Sequence, residues 1–140
     1  MLSVKERQAR LKKLGYYTGA IDGSNGTLTK QAVLNLQKDY FTRSQDHDGS
    51  YGYDTDKLLK NVWYAKDLTY FKLSEFKCSC GQCTGYPSEI DPILMRELDN
   101  LRAYYGKSIT ITSGLRCTYR NKQVGGSSES GHLTGKACDI

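Results

Sequence analysis

The chain reads as two domains: an all-α three-helix bundle over residues 1–65 and a small α+β domain over residues 71–140, with a linker at 66–70. Three observations predict this. The pattern Asp-Gly-Ser-x-Gly-x-x-Thr occurs at 22–29 and again at 48–55, each time leading into helical apolar spacing. From residue 71 the rhythm changes to short apolar alternations, a cysteine cluster and one longer helix. Finally, 140 residues that are 38% hydrophobic suit a globular chain, and the length allows one domain or two small ones.

The first helix is predicted over Val4–Leu14, with Val4, Leu11 and Leu14 on one side and Gly15 ending it. The second follows Thr29 and carries Ala32, Val33, Leu36 and Tyr40; the third follows Thr55 and carries Leu58, Leu59, Val62 and Trp63. Both sets recur at the three- and four-residue steps of an apolar helix face. Thr29 and Thr55 stand where N-caps are expected, with hydroxyls able to accept an orphan backbone N–H. The loop glycines allow the tight turns that aim each loop into its helix.

Beyond the linker, Phe71, Leu73 and Phe76 alternate. Asp91 and Pro92 read as N-cap and first helical residue of a helix whose buried face is Ile93, Leu94, Leu98, Leu101 and Tyr105, closed by Gly106. Ile109 and Ile111 alternate with threonines, the mark of a half-buried strand. A Gly/Ser-rich loop covers 125–131, and Lys136–Ile140 opens another strand. An α+β domain that stops on a strand start reads as incomplete, so more sequence is expected after Ile140.

Composition narrows the function classes. The net charge of +5 is spread evenly: ten basic and seven acidic residues over 1–65, ten and eight over 66–140. A stripe that would track a phosphate backbone is missing, so no nucleic-acid partner is expected. No apolar run of about 18 residues or more exists, so no membrane insertion is expected. Residues 1–13 carry five basic residues and no apolar core, unlike a secretory signal peptide. The 11 tyrosines suit carbohydrate-contacting surfaces and small cores equally. His47, between two aspartates in the second repeat loop, reads as exposed.

The run Leu11-Lys12-Lys13-Leu14-Gly15-Tyr16-Tyr17-Thr18-Gly19-Ala20-Ile21-Asp22-Gly23, continued by Gly26, Thr29, Ala32, Val33 and Gln37, resembles the signature of the peptidoglycan-binding domain family. The resemblance covers roughly residues 3–64 and departs at Leu36, where the family usually carries Phe. It implies a three-helix fold and peptidoglycan as partner; the resemblance does not mark the contacting residues, and Tyr16, Tyr17 and Tyr51 are taken as candidates. Nearly every matched residue is a core apolar, a cap or a turn glycine, so the pattern itself speaks of fold and the binding comes from the family.

A second resemblance carries chemistry. Ser130-Gly131-His132-Leu133-Thr134-Gly135-Lys136-Ala137-Cys138-Asp139 resembles the S-x-H-x-x-G-x-A-x-D pattern of the D-alanyl-D-alanine carboxypeptidase and L-alanyl-D-glutamate peptidase family. Ile109–Arg116 resembles that family's strand and S-G-x-R turn, and Phe71–Cys80 resembles the entry segment of a phage and bacterial subgroup. The resemblance implies zinc as cofactor, with His132 and Asp139 as two ligands and Arg116 steadying the substrate carbonyl or oxyanion. Ser130 is a further substrate-side candidate, although bracing the loop suits it better. Catalytic zinc takes three protein ligands plus water, lowers that water's pKa to about 7 and polarises the scissile carbonyl. The family's third ligand, a histidine, and its general-base glutamate come from a later E-x-x-H-type segment that these 140 residues do not contain. His47 belongs to the other domain and is a poor substitute. The 140-residue chain is therefore expected to be inactive or nearly so, and its parent a zinc-dependent hydrolase.

The five cysteines leave three readings open. Cys78, Cys80, Cys83 and Cys117 suit a structural zinc site, or one or two disulfides tying the 78–83 cluster to Cys117, or reduced buried thiols. A Cys/His nucleophile pair, Cys138 or Cys117 with His132, is the alternative to the metal. Three function classes follow: a modular cell-wall hydrolase of endolysin or autolysin type, expected to be a monomer; a non-catalytic wall-binding protein with a degenerate peptidase domain; or an interaction module of a phage particle. The expected location is the extracellular cell wall, reached through a phage lysis pore or after removal of a signal.

Overall fold

The computed structural model describes residues 1–78, 89–111, 113–114, 116, 118–127, 130–134 and 138–140, with backbone alone at 118–120 and 134. Five α-helices occur among them: α1 Val4–Lys13, α2 Thr27–Tyr40, α3 Tyr53–Ala65, α4 Pro92–Tyr105 and α5 Thr118–Gln123. Short 3₁₀ turns lie at Ser44–Asp46, Leu73–Phe76 and Gly131–Thr134.

Helix α1 starts on Ser3, whose hydroxyl accepts the Glu6 amide at 3.2 Å. It ends at Leu14, and Gly15 follows with φ of 92°, a value that costs glycine little. Helices α1, α2 and α3 bury Leu11, Ala32, Val33, Leu36, Leu58, Leu59 and Val62 as expected. The threonine assignment is corrected. The N-caps of α2 and α3 are Gly26 and Gly52, and Thr29 and Thr55 lie inside the first turns, buried.

What occupies those threonines is a pair of buried glutamines. Gln8 Nε2 lies 3.0 Å from Thr29 Oγ1 and 2.9 Å from the Ser24 carbonyl, while its Oε1 accepts the Gly23 amide at 3.0 Å. Gln37 Nε2 lies 3.0 Å from both Thr55 Oγ1 and the Ser50 carbonyl, and its Oε1 accepts Gly49 and Asp48 amides at 2.9 and 3.1 Å. Each Asp-Gly-Ser loop is thus wrapped around one side-chain amide from the preceding helix. Glutamine suits the place because it carries donors and acceptors on one planar group.

A second anchor is Asp56, which is 2% exposed. Burial alone would push its carboxyl up. The Leu2 amide at 2.8 Å, the Lys60 ammonium at 2.9 Å and the Tyr51 hydroxyl at 2.8 Å outweigh it and hold the pKa at about 2. A carboxyl depressed on folding contributes stability above its unfolded pKa and loses it as pH falls toward the folded value. Between pH 4 and pH 2 the unfolding free energy from urea melts should therefore fall by about 2 kcal/mol on account of this group. In Asp56→Asn that part of the acid limb should be absent, so equal pH profiles for the two proteins would refute the assignment.

The remaining residues pack on the bundle through one continuous apolar cluster that runs from Leu11 and Leu58 to Phe71, Phe76, Ile90 and Met95. Phe71, Leu73 and Phe76 are buried, yet 73–76 is a 3₁₀ turn and not an extended segment. In such a turn residues i and i+3 eclipse, which puts Leu73 and Phe76 on one side. Helix α4 begins on Asp91, whose carboxylate accepts the Ile93 amide at 2.9 Å, and ends on Gly106 at φ 74°. Its buried face is Met95 and Leu98, whereas Ile93, Leu101 and Tyr105 are 59, 43 and 58% exposed. The apolar residues surround this helix, and contact with α3 selects which of them turn inward. Asn61 of α3 donates to the Ile90 carbonyl at 2.9 Å, and Lys57 pairs with Glu89. Asp99 of α4 accepts the Thr69 and Tyr70 amides at 3.1 and 2.8 Å, pinning the expected linker.

The expected strands at 109–111 and 136–140 do not form a sheet among the described residues. Ser113 and Asp139 make one isolated antiparallel bridge, with N–H···O distances of 2.7 and 3.4 Å. Ile109 and Ile111 instead pack their side chains against the common core.

Candidate active site

Three parts of the chain converge near that bridge: Ser113, Gly114 and Arg116; the turn Gly131–Thr134; and Asp139. His132 is 7% exposed, and its Nδ1 lies 2.7 Å from the Gly114 carbonyl oxygen. A carbonyl only accepts, so Nδ1 carries a proton, and in the neutral ring Nε2 is the nitrogen that holds the lone pair. That Nε2 lies 3.6 Å from Asp139 Oδ1. The gap exceeds a hydrogen bond. It is within a few tenths of an ångström of the roughly 3.3 Å that separates two donors on a tetrahedral ion with bonds of about 2.0–2.1 Å. The pair and its backbone brace therefore fit zinc: an imidazole fixed in tautomer by an outer hydrogen bond beside a carboxylate.

Arg116 is anchored by its backbone, whose amide donates to the His132 carbonyl at 2.9 Å. Its guanidinium is 3.6 Å from Asp139 Oδ2. Nε donates to Ser113 Oγ at 3.3 Å and Nη1 to Asn121 Oδ1 at 3.2 Å. Ser130 Oγ accepts the His132 amide at 3.3 Å, capping the turn that carries the histidine. Among the described residues, no third His, Cys, Asp or Glu joins His132 and Asp139.

The other sequence-predicted residues lie elsewhere. Tyr17 is 5% exposed, and its hydroxyl donates to the Ala20 carbonyl at 2.6 Å, so the ring belongs to the bundle core. Tyr16 is half-buried and donates to Asp39 at 2.6 Å; burial and that carboxylate push its hydroxyl pKa up. Tyr51 stacks under the Arg7 guanidinium, 3.9 Å from the ring centre. His47 is half-buried and not exposed, with Nε2 2.7 Å from the Phe41 carbonyl. Cys78 is buried, while Cys80, Cys83 and Cys117 fall outside the described residues, as does any pairing among them. Cys138 is a half-buried free thiol whose pKa is pushed up by burial and by Asp139. That shift disfavours the thiolate a Cys138/His132 nucleophile pair requires.

Sequence reasoning missed Gly114, Asn121 and Gly126. A Cβ on Gly114 would overlap the Phe76 carbonyl oxygen and lie 2.7 Å from its carbon. A Cβ on Gly126 would overlap Asn121 Oδ1. The signal was present in Ser113-Gly114 and Gly125-Gly126, but close backbone approach is visible only once the partner segment is known.

The sequence model of the peptidase M15 family matches residues 69–140, and that of the peptidoglycan binding domain matches residues 2–55. A zinc D-Ala-D-Ala carboxypeptidase of Streptomyces albus G is 31% identical over 149 residues, covering 96% of this chain. The chain spans 56% of that relative's length. No solved structure matches the chain. With half of its length matched by the family's own sequence model, this chain belongs to the peptidase M15 family.

Proposed function

We propose that this protein is a cell-wall hydrolase: residues 1–65 bind peptidoglycan and residues 71–140 serve the cleavage of stem-peptide amide bonds. The observation that carries the reading is the 3.6 Å approach of His132 Nε2 to Asp139 Oδ1, with Nδ1 committed to the Gly114 carbonyl. His132 and Asp139 are the residues that would hold zinc. When bound, zinc supplies a water acidic enough to act as a nucleophile at neutral pH and polarises the carbonyl to be attacked. Arg116 keeps a fixed positive charge beside the pair, placed to steady the carbonyl oxygen as it gains charge. The family match at 2–55 and the carboxypeptidase relative support peptidoglycan as the substrate and an extracellular, wall-bound place of action.

Zinc titration tests this. Wild-type protein should bind zinc, and His132→Ala and Asp139→Ala should each weaken binding on the order of 100-fold, since removing a ligand costs at least what removing its support does. Unchanged affinity in either variant would sink the assignment. A second reading, a wall-binding protein without turnover, is favoured by the two-ligand count among the described residues. It expects retention on purified peptidoglycan with no release of peptide fragments, even in excess zinc.

A further inference from the structure

Arginine and carboxylate normally close to N···O distances of about 2.7–2.9 Å, often on both prongs. Arg116 and Asp139 do not: their approach stops at 3.6 Å. Two hydrogen bonds restrain the guanidinium from other directions, Ser113 Oγ on Nε at 3.3 Å and Asn121 Oδ1 on Nη1 at 3.2 Å. Asn121 is itself 3% exposed and tied down twice. Its Nδ2 donates to the Ser127 carbonyl at 2.8 Å, and its own carbonyl accepts the Gly126 amide at 2.8 Å. Gly126 makes room for it, because a side chain there would displace Oδ1 and press on Arg116 Nη1 at 2.9 Å.

We propose that Asn121 is a positioning residue, whose amide oxygen holds Arg116 away from Asp139 so that the carboxylate stays open to a cation and the guanidinium to substrate. The consequence for the cation rests on the zinc reading above; the clamp itself does not. Without Asn121 the guanidinium is free to close on Asp139, and each then occupies the other.

The experiment combines two readouts on the 140-residue chain. The first is the order of the Arg116 Nε–H group by ¹⁵N relaxation, assigned through its loss in Arg116→Lys. The second is zinc affinity by competition with a chromogenic chelator. Asn121→Ala should make the Nε–H group mobile and weaken zinc roughly tenfold. Asn121→Asp keeps the acceptor but loses the donation to the Ser127 carbonyl, so it should restore the order of Arg116 in part and leave zinc tighter than in Asn121→Ala, and Gly126→Ala should reproduce the alanine phenotype if Asn121→Ala fails to fold. In an Arg116→Ala background, Asn121→Ala should leave zinc affinity unchanged, because nothing remains to be held. Persistence of the zinc loss in that background would overturn the proposal and make Asn121 a structural residue. An equally ordered Arg116 in Asn121→Ala would also overturn it. If no variant binds zinc while Arg116 loosens as described, the clamp stands and the zinc reading falls.

Discussion

Gly114→Ala is expected to destabilise the protein by about 2–3 kcal/mol and to release His132 from its orientation. The added Cβ would overlap the Phe76 carbonyl oxygen and come within 2.7–2.8 Å of two further backbone atoms of Phe76. These are backbone atoms of a residue whose side chain is fully buried, so they cannot step aside as the end of a lysine would. The Gly114 carbonyl is also the group that fixes the His132 ring, at 2.7 Å. Relief of the overlap by shifting residue 114 therefore moves the histidine. Urea unfolding should show a lower midpoint with an unchanged slope, and zinc affinity should fall with it. A midpoint within error of wild type would mean that residues 76 and 114 are not packed as described.

Gln37→Ala is expected to cost about 3 kcal/mol, combining a cavity with stranded polar groups. The Asp48 and Gly49 amides lose their acceptor, and Ser50 and Thr55 lose their donor. Gly49 has φ of 72°, so the loop that depends on Gln37 is already held in a conformation of few alternatives. Gln37→Glu separates the two halves of the role. It can still accept the two amides, but it cannot donate to Ser50, and it places a charge beside Asp48, whose carboxylate lies 3.2 Å from the Gln37 nitrogen. It should be nearly as damaging as alanine at pH 7 and partly recover at low pH, where the carboxyl protonates and donates. Urea midpoints for the three proteins at both pH values provide the check. Gln8→Ala should behave like Gln37→Ala, because the first loop hangs on Gln8 in the same way.

Much of the bundle was legible from residue spacing. Helices repeat their apolar positions every three to four residues, and the two Asp-Gly-Ser loops announce where helices begin. The role of the threonines was misread because an N-cap and a third helical position look alike in sequence, three residues after a glycine. Only a glutamine brought in from the preceding helix tells them apart. Helix α4 was placed correctly by Asp91, Pro92 and Gly106, which act locally. Its buried face was misread because apolar residues line most of its circumference, and burial depends on where α3 lies.

For the candidate site, His132, Asp139 and Arg116 were legible as candidates because they sit in a ten-residue pattern and a short turn whose order matches a family. Their supports were not. Asn121 lies on a six-residue polar helix with no periodicity to mark it, and Gly114 looks like any turn glycine. The chain's local chemistry determines which groups are capable of ligation and where helices start and stop. It does not state distances between residues far apart in the chain. The Gly114 carbonyl that orients the His132 ring lies 18 residues away in the chain, and the seating of Gly114 against the Phe76 backbone spans 38 more. They depend on three segments meeting at one point, which no single segment encodes.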